Sequence, residues 1–430
     1  MSLICLQYGQ CGNQLGAELY STISDDIHND SKEYNIKNKS YNKLSEDNWF
    51  LRKNNRLQAR AIIIDTEEKV VNSFKKHSSW SYNPDNIIIK NTGGSANNWA
   101  VGHNVNGPKM LNKTMESLRK ECEKCDRLQG FLTFNSSAGG TGSGLSSYFS
   151  QQIKNEFSNK ALISVLVLPH FAGEVVTQNY NTLLTLSKLY STCDAILALQ
   201  NDNLFKMSTL YEGAKKIGMG HLNRLVAEQI GSIFQPVEFS GPSKSVTLSD
   251  LTSHLCSHPS YKILLIRTAP DVIKPNNFVS NMKWNSKEHC EYEMCFKKNF
   301  HYKQDELSKI NKEMKVVANL LVNRGKPSII PTNDYKSQIS LRHLYPKWIH
   351  NQSSLIYNQS RKYIKMEQYI TLVTNNSFIQ IDLNNILESS WQSFINNAYV
   401  YLYEKHGLTK EDFTEAFINV ENVYHTYKSL

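Results

Sequence analysis

Phe131-Leu132-Thr133-Phe134-Asn135-Ser136-Ser137-Ala138-Gly139-Gly140-Thr141-Gly142-Ser143-Gly144-Leu145 is the stretch on which the reading of this 430-residue chain turns. Phe131–Phe134 reads as a short buried strand. Beyond the loop, Leu145, Tyr148, Phe149 and Ile153 recur at helical spacing. Glycine at 139, 140, 142 and 144 lets the backbone between them come close to a ligand and turn its N–H groups inward. The helix behind adds its positive end, and Thr141 and Ser143 add hydroxyls, which together are the physical requirements of a phosphate site. A flexible Gly/Ser turn is the competing reading, but such a turn has no need of a buried strand before it and an amphipathic helix after it. Leu145 follows Gly144, so this is not the Gly-Lys-Ser/Thr phosphate loop. Nor is it the dinucleotide fingerprint, which belongs after a first strand and needs an acidic residue about twenty positions on.

Working outward, Leu3–Leu6, Ala61–Ile64 ending in Asp65, Asn86–Lys90, Ala161–Leu168 and Ala195–Leu199 read as further strands. Between them Pro108–Arg127 reads as an amphipathic helix with proline near its start. This alternation predicts an α/β fold with a mostly parallel, Rossmann-like sheet covered by helices on both faces. His221–Phe234 carries Leu222, Leu225, Val226, Ile230 and Ile233 on a broad face and reads as a central, buried helix. Tyr261–Ile266, Val316–Val322 and Ile370–Val373 suggest a second, mixed sheet. Two helices close the chain. One carries Ile386, Leu387, Trp391, Phe394, Ile395 and Leu402, and the other starts at Thr409 with Asp412 three residues on, a capping-box pattern. The expected domains are 1–220 (nucleotide-binding), 221–240 (central helix), 241–375 (intermediate α/β) and 376–430 (C-terminal helical hairpin). Residues 29–58 and 273–312 are polar, and the first of these reads as a surface loop.

Hydrophobic residues make up 40% and charged residues 20% of the chain, ordinary values for a globular protein. The net charge of +9 fits contact with an acidic surface without identifying one. Lys297-Lys298 and Arg361-Lys362 would serve that contact if exposed. Met1–Leu6 does not read as a secretory leader and no apolar stretch is long enough to span a bilayer, which predicts a cytosolic protein without membrane contact. The eight cysteines are then expected to be free thiols. Cys122 and Cys125 have metal-like spacing, but no second pair completes four ligands. Nothing in the sequence points to nucleic acid.

The loop 138–144 resembles the signature of the tubulin family. So do Gly9-Gln10-Cys11-Gly12-Asn13-Gln14 after the first strand, Asn97-Asn98-Trp99-Ala100 with Gly102-His103, and Cys125-Asp126-Arg127-Leu128-Gln129-Gly130-Phe131 before the glycines. These matches are ordered and correctly spaced, and the resemblance extends over essentially the whole chain. It implies binding of GTP or GDP with Mg²⁺. Gln10 and Cys11 would face the phosphates and the base side, and Asn97 the terminal phosphate. Ala138, Gly139, Gly140, Thr141, Gly142 and Ser143 would form the phosphate loop, and Asp65 and Glu67 would hold the magnesium ion, which favours carboxylate, water and phosphate oxygens. Glu174 matches an acidic ribose contact. Asn201 and Asn223 match the pair that reads guanine, whose edge an amide's donor and acceptor can satisfy where adenine's would leave groups unpaired. Gln178 stands where alpha and beta chains carry a second acidic residue, and Met219 where they carry a tyrosine stacked on the base. Base–aromatic stacking contributes about 1–3 kcal/mol, so the resemblance implies weaker nucleotide binding here. Asp250 matches a glutamate that, in alpha chains, acts on the next subunit's nucleotide. Whether this chain is an enzyme stays open; the resemblance implies at most a weak GTPase completed in trans.

Ala138 at the head of the signature, Gly231-Ser232-Ile233-Phe234-Gln235-Pro236, His258-Pro259 and Val105-Asn106-Gly107-Pro108 look like the delta branch of the family. Its members imply a cytoskeletal protein of centrioles and basal bodies that makes or keeps triplet microtubules and serves cilium or flagellum formation. The implied partners are alpha/beta-tubulin, other centriolar tubulins and centriolar proteins. Two alternatives remain open at this point: a gamma-type nucleator, and a GTP-binding assembly factor that does not polymerise.

Overall fold

The structure is a computed structural model that describes residues 1–28, 35–53, 56–68, 78–90, 93–170, 173, 175–212, 218–238, 243–244, 246–269, 314–325, 342–349, 354–364, 366 and 368–430. The chain forms two compact units. The first comprises Met1–Ala17, Asp47–Gln200 and Ile379–Ser429, and the second Glu18–Glu46 and Asn201–Phe378, with Leu430.

In the first unit, six strands run in the order β9-β8-β7-β1-β4-β6. They are β1 (Ser2–Tyr8), β4 (Ala61–Asp65), β6 (Ile87–Ile89), β7 (Leu128–Ser136), β8 (Ala161–Leu168) and β9 (Ala195–Gln200), and every pairing among them is parallel. Strands buried on both faces lose the alternation of a half-exposed sheet. This is why Ile62–Ile64 reads as an unbroken apolar run and Ala161–Leu168 as one broken only by Ser164, and all of β1, β4 and β8 is buried. A parallel sheet ends its strands at one edge, so the loops after β1, β4 and β7 emerge together, where ligands of open α/β sheets bind. Strands β2 (Phe50–Lys53), β3 (Arg56–Ala59) and β5 (Trp80–Tyr82) form a separate small sheet.

The second unit holds β10 (Val237–Glu238), β11 (Ser243–Lys244), β12 (Ile263–Ala269), β13 (Val316–Gly325), β14 (Ser354–Gln359) and β15 (Gln368–Asn376) in the order β11-β10-β14-β13-β15-β12. It is mixed: β13 pairs parallel with β14 and antiparallel with β15. The helix Met219–Phe234 has its last turns wholly buried. One side chain binds the carbonyls at and just beyond its C-terminus, while the Gln235 N–H closes on the Gly231 carbonyl. Arg324, on β13 and 1% exposed, donates to the carbonyls of Ser232 (2.8 Å), Gln235 (2.7 Å) and Pro236 (3.0 Å). A cation at a helix C-terminus also complements its dipole.

Three local expectations are corrected. Residues 29–58 do not form a loop, because Asn35–Trp49 is a helix and β2 and β3 follow it. Its polar side chains hid a buried stripe, Tyr41, Ser45, Asn48 and Trp49, in which Tyr41 donates to Asp26 (2.8 Å) and Asn48 accepts from Gln129 (2.8 Å). The helix expected over Pro108–Arg127 runs Gly107–Glu123, and the chain turns there as Cys125 N–H meets the Cys122 carbonyl. The helix expected to reach Leu402 stops at Ile395; Asn397 and Tyr399 take positive φ of 48° and 61°, and Val400–Glu404 is a separate turn of helix. Asparagine tolerates the left-handed region that ends helices. Arg361-Lys362 would serve an acidic partner only if exposed, and Arg361 does not meet that condition. Arg361 is buried, paired with Asp26 at 3.1 Å and stacked on the Tyr41 ring at 4.4 Å. Lys297 and Lys298 lie outside the described residues. The capping box at Thr409 is present, with Asp412 accepting from the Thr409 N–H at 2.7 Å.

Arg324→Met keeps the aliphatic stem and removes all three bonds to the carbonyls of Ser232, Gln235 and Pro236. It should lower stability by roughly 2–4 kcal/mol, since buried carbonyls are left unpaired. Urea or thermal unfolding followed by circular dichroism measures it, and a wild-type midpoint would show that the bonds contribute nothing net.

Candidate nucleotide site

Two backbones meet at the start of the helix Thr141–Glu156. A Cβ on Gly140 would lie 2.4 Å from Asn98 N and 2.7 Å from Ser95 O, and one on Gly102 would lie 2.3 Å from Gly140 O. These glycines therefore answer to protein packing, because each abuts the segment 95–102 or is abutted from it. Gly139 differs. A Cβ there would meet nothing closer than Asn97 Oδ1 at 4.0 Å, so this face of the loop is open. Helices leave the N–H groups of their first turn without intrahelical acceptors. Here Gly144 N–H closes on the Gly140 carbonyl at 3.0 Å, which leaves the N–H groups ahead of it as the donors a phosphate would use. The turn after β1 comes to the same place: Gly9 has φ +65°, and a Cβ on it would lie 2.9 Å from Gly142 N.

Hydroxyls brace this arrangement. Thr141 donates to Ser95 Oγ at 3.0 Å, so the 3.0 Å contact between Thr66 and Thr141 takes its proton from Thr66. Asn106, from a π-helical turn at Val101–Asn106, donates to the same Ser95 oxygen at 3.0 Å. Ser143 is buried and its hydroxyl donates to the Gly139 carbonyl. Of the two hydroxyl residues in the loop, both side chains already hold protein partners, and what Ser143 has to offer is its backbone N–H.

The two carboxylates expected to hold magnesium have different environments. Asp65 is 3% exposed and accepts from Asn13 Nδ2 (2.7 Å), Thr66 N–H (2.8 Å) and Glu67 N–H (3.3 Å), using both oxygens. Burial pushes its carboxyl above the ordinary carboxylate value, and these bonds pull it part of the way back. Glu67 is exposed, and its Oε1 would lie 2.7 Å from a Cβ on Gly94. Gln10 is exposed, and burial raises the thiol of the next residue, Cys11, to about 11, so it is uncharged at neutral pH. Asn97 is exposed with φ +51°, next to Ala96 at +47°. Its carbonyl accepts from Thr177 and Asn181, both at 2.8 Å, so the backbone is clamped while the side-chain amide stays outward.

Glu174 lies outside the described residues. Gln178, which replaces an acidic residue of the resemblance, is buried and donates to the His170 carbonyl at 3.0 Å, closing its own loop. In the second unit, Asn201 is half-buried at the start of the helix Asn201–Glu212. Met219 opens the helix Met219–Phe234 and is 60% exposed, and Asn223, half-buried, follows one turn later. Asp250 is exposed in the first turn of Leu248–Leu255, where its N–H bonds the capping hydroxyl of Thr247 at 3.1 Å. Among the described residues no three His, Cys, Asp or Glu side chains form a metal-holding group.

Asn181 escaped the sequence reading. It sits in the helix Gln178–Thr192 and ties Asn97, Trp99 and Ala138 together. The clue was available: asparagine is a poor interior helix residue, and in the apolar run Tyr180-Asn181-Thr182-Leu183-Leu184 its amide must find partners.

The two adjacent glycines should separate folding from binding. Gly140→Ala drives a methyl into the Asn98 backbone and should cost about 1–3 kcal/mol of stability. Gly139→Ala meets no protein atom and should leave the thermal midpoint unchanged while weakening nucleotide binding. Equal destabilisation by both, read by thermal unfolding, would mean that the open face at Gly139 is misassigned.

Residues 2–209 match the model of the Tubulin/FtsZ family, GTPase domain. The chain is 31% identical to a tubulin delta chain of Homo sapiens and 32% identical to one of Macaca fascicularis, with all of both chains covered in each case. A nucleomorph tubulin beta chain of Guillardia theta is 26% identical over 99% of this chain and 95% of its own length. With the parallel sheet, the glycine loop at its edge and full-length similarity to delta chains, this chain belongs to the tubulin family of GTP-binding cytoskeletal proteins.

Proposed function

We propose that the chain holds the phosphates of GTP or GDP against the N–H groups of Gly139 to Ser143, with Asn97 facing the terminal phosphate. The observation that carries this is the open face at Gly139, bordered by the Asn97 amide in a loop otherwise packed backbone to backbone. Gln10, Cys11 and Ala138 are assigned to the same site, the first two because the neighbouring Gly9 abuts Gly142. A magnesium ion would suit the carboxylates of Asp65 and Glu67: Asp65, held by Asn13 and two backbone N–H groups, would orient the 65–67 turn and meet the ion through water, and exposed Glu67 would offer its carboxylate to it. When bound, the ion neutralises charge on the phosphate oxygens. Asn201 and Asn223 are assigned to the guanine edge, Glu174 to the ribose, and Met219 to partial cover of the base, since a thioether over a ring recovers part of an aromatic stack.

Asp250 is assigned to a neighbouring subunit's nucleotide, where its exposed carboxylate would act as a base on water. It is one methylene shorter than glutamate, about 1.5 Å less reach, which favours slow hydrolysis that depends on assembly. Similarity to delta chains supports a role at centrioles and basal bodies, in building or keeping triplet microtubules and in forming cilia, with alpha/beta-tubulin, other centriolar tubulins and centriolar proteins as partners. The net charge of +9 fits an acidic tubulin partner and would raise encounter rate more than affinity.

Titration calorimetry of purified protein should show GTP binding that strengthens with Mg²⁺ and that ATP competes for poorly. Glu67→Gln should remove most of the Mg²⁺ dependence and leave metal-free binding unchanged. Equal competition by ATP, or an undiminished Mg²⁺ effect in Glu67→Gln, would overturn the corresponding assignment. In cells, tagged protein should concentrate at centrioles, and its loss should leave doublet or singlet microtubules there. Uniform labelling of cytoplasmic microtubules would favour a gamma-type or general role instead.

A further inference from the structure

Asn181 is fully buried and uses every polar position it has. Its Oδ1 accepts from the Trp99 N–H at 2.9 Å and from the Tyr403 hydroxyl at 2.7 Å. Its Nδ2 donates to the Asn97 and Ala138 carbonyls, both at 2.8 Å. An amide has two donors and two acceptor directions, so the group is saturated. The four partners come from three places: the 96–99 turn, the head of the glycine loop, and the C-terminal helical segment Val400–Glu404. All belong to the first unit.

The 96–97 turn needs such support. Two successive non-glycine residues hold positive φ, a conformation that costs about 1–3 kcal/mol per residue and persists only where surroundings enforce it. The Asn97 carbonyl is gripped twice, by Asn181 and by Thr177, and the Tyr403 hydroxyl also lies 3.4 Å from the Thr177 carbonyl. Tyr403 is itself buried and packs its ring against Tyr180 and Phe413.

We propose that Asn181 is the positioning residue that sets the distance between Asn97 and the glycine loop, and that Tyr403 ties this setting to the C-terminal helices. The inference rests on the assignment of Asn97 and the loop to the phosphates. Asn181 then governs discrimination between tri- and diphosphate, because Asn97 faces the group that only the triphosphate has. The tie also runs in reverse: whatever moves the helix carrying Tyr403 shifts the GTP/GDP preference, since coupling between two sites is reciprocal.

The experiment measures GTP and GDP affinities of the full chain and two variants by calorimetry. Asn181→Asp is isosteric but turns two donors into acceptors facing carbonyls. It should lower the ratio of GTP to GDP affinity about tenfold, equivalent to about 1.4 kcal/mol. Tyr403→Phe keeps the ring packing, removes one bond and should shift the ratio in the same direction by a smaller factor. If wild-type protein binds neither nucleotide, the phosphate assignment itself fails. If wild-type binds and Asn181→Asp weakens GTP and GDP equally, or Tyr403→Phe leaves the ratio unchanged, Asn181 merely supports the fold and the inference is overturned. Should Asn181→Asp not fold, the Tyr403→Phe ratio alone decides.

Discussion

Two stretches of backbone, around Asn98 to Gly102 and at Gly140 and Gly144, pass so close that a Cβ on Gly102, Gly140 or Gly144 would not fit, and the candidate site depends on that approach. Gly102 and Gly140 meet the opposing chain at distances a Cβ could not occupy. Packing at this density transmits any displacement directly. The approach fixes the first turn of the glycine-loop helix, and with it the direction of the N–H groups that a helix end leaves for a ligand. It also explains why a run of glycines has mixed duties. Gly140 serves the neighbouring strand of backbone, and Gly139 leaves space for something outside the chain.

The polar groups around this junction divide in the same manner. Asp65, Thr141 and Ser143 have the chemistry of direct ligand contacts, yet each is engaged by protein: Asp65 by Asn13 and two backbone N–H groups, Thr141 by Ser95 and Thr66, Ser143 by the Gly139 carbonyl. Glu67 and Asn97, by contrast, are exposed. A site built in this way is pre-organised: the inner residues hold geometry, and the outer ones are left with unused donors and acceptors. In the second unit Arg324 has a comparable duty, where a single guanidinium binds three carbonyls at and just beyond the end of the Met219–Phe234 helix.

Much of this was legible in the sequence because the informative features are local. A strand buried on both faces is largely apolar, so Ile62–Ile64 and Ala161–Leu168 could be placed; a glycine loop between such a strand and an amphipathic helix has few other uses. The capping box at Thr409 and Asp412 is likewise a spacing rule. What could not be read depends on distant partners. Tyr41, Ser45 and Asn48 look like surface residues in a polar stretch, and only the presence of Asp26, Gln235 and Gln129 makes them interior ones. Whether Arg361 is exposed could not be read either, because its partner, Asp26, is more than three hundred residues away in sequence. Asn181 has no motif of its own. Its role comes from four groups brought to it by three separate segments.

The claim that the open face at Gly139 is a phosphate cradle is tested most directly by a structure determined with bound GTP. The account predicts phosphate oxygens within hydrogen-bonding distance of the N–H groups between Gly139 and Ser143, with the Asn97 amide on the terminal phosphate and the 95–102 backbone unmoved. A nucleotide bound elsewhere, or a glycine loop that must separate from Asn98 to admit it, would contradict the account.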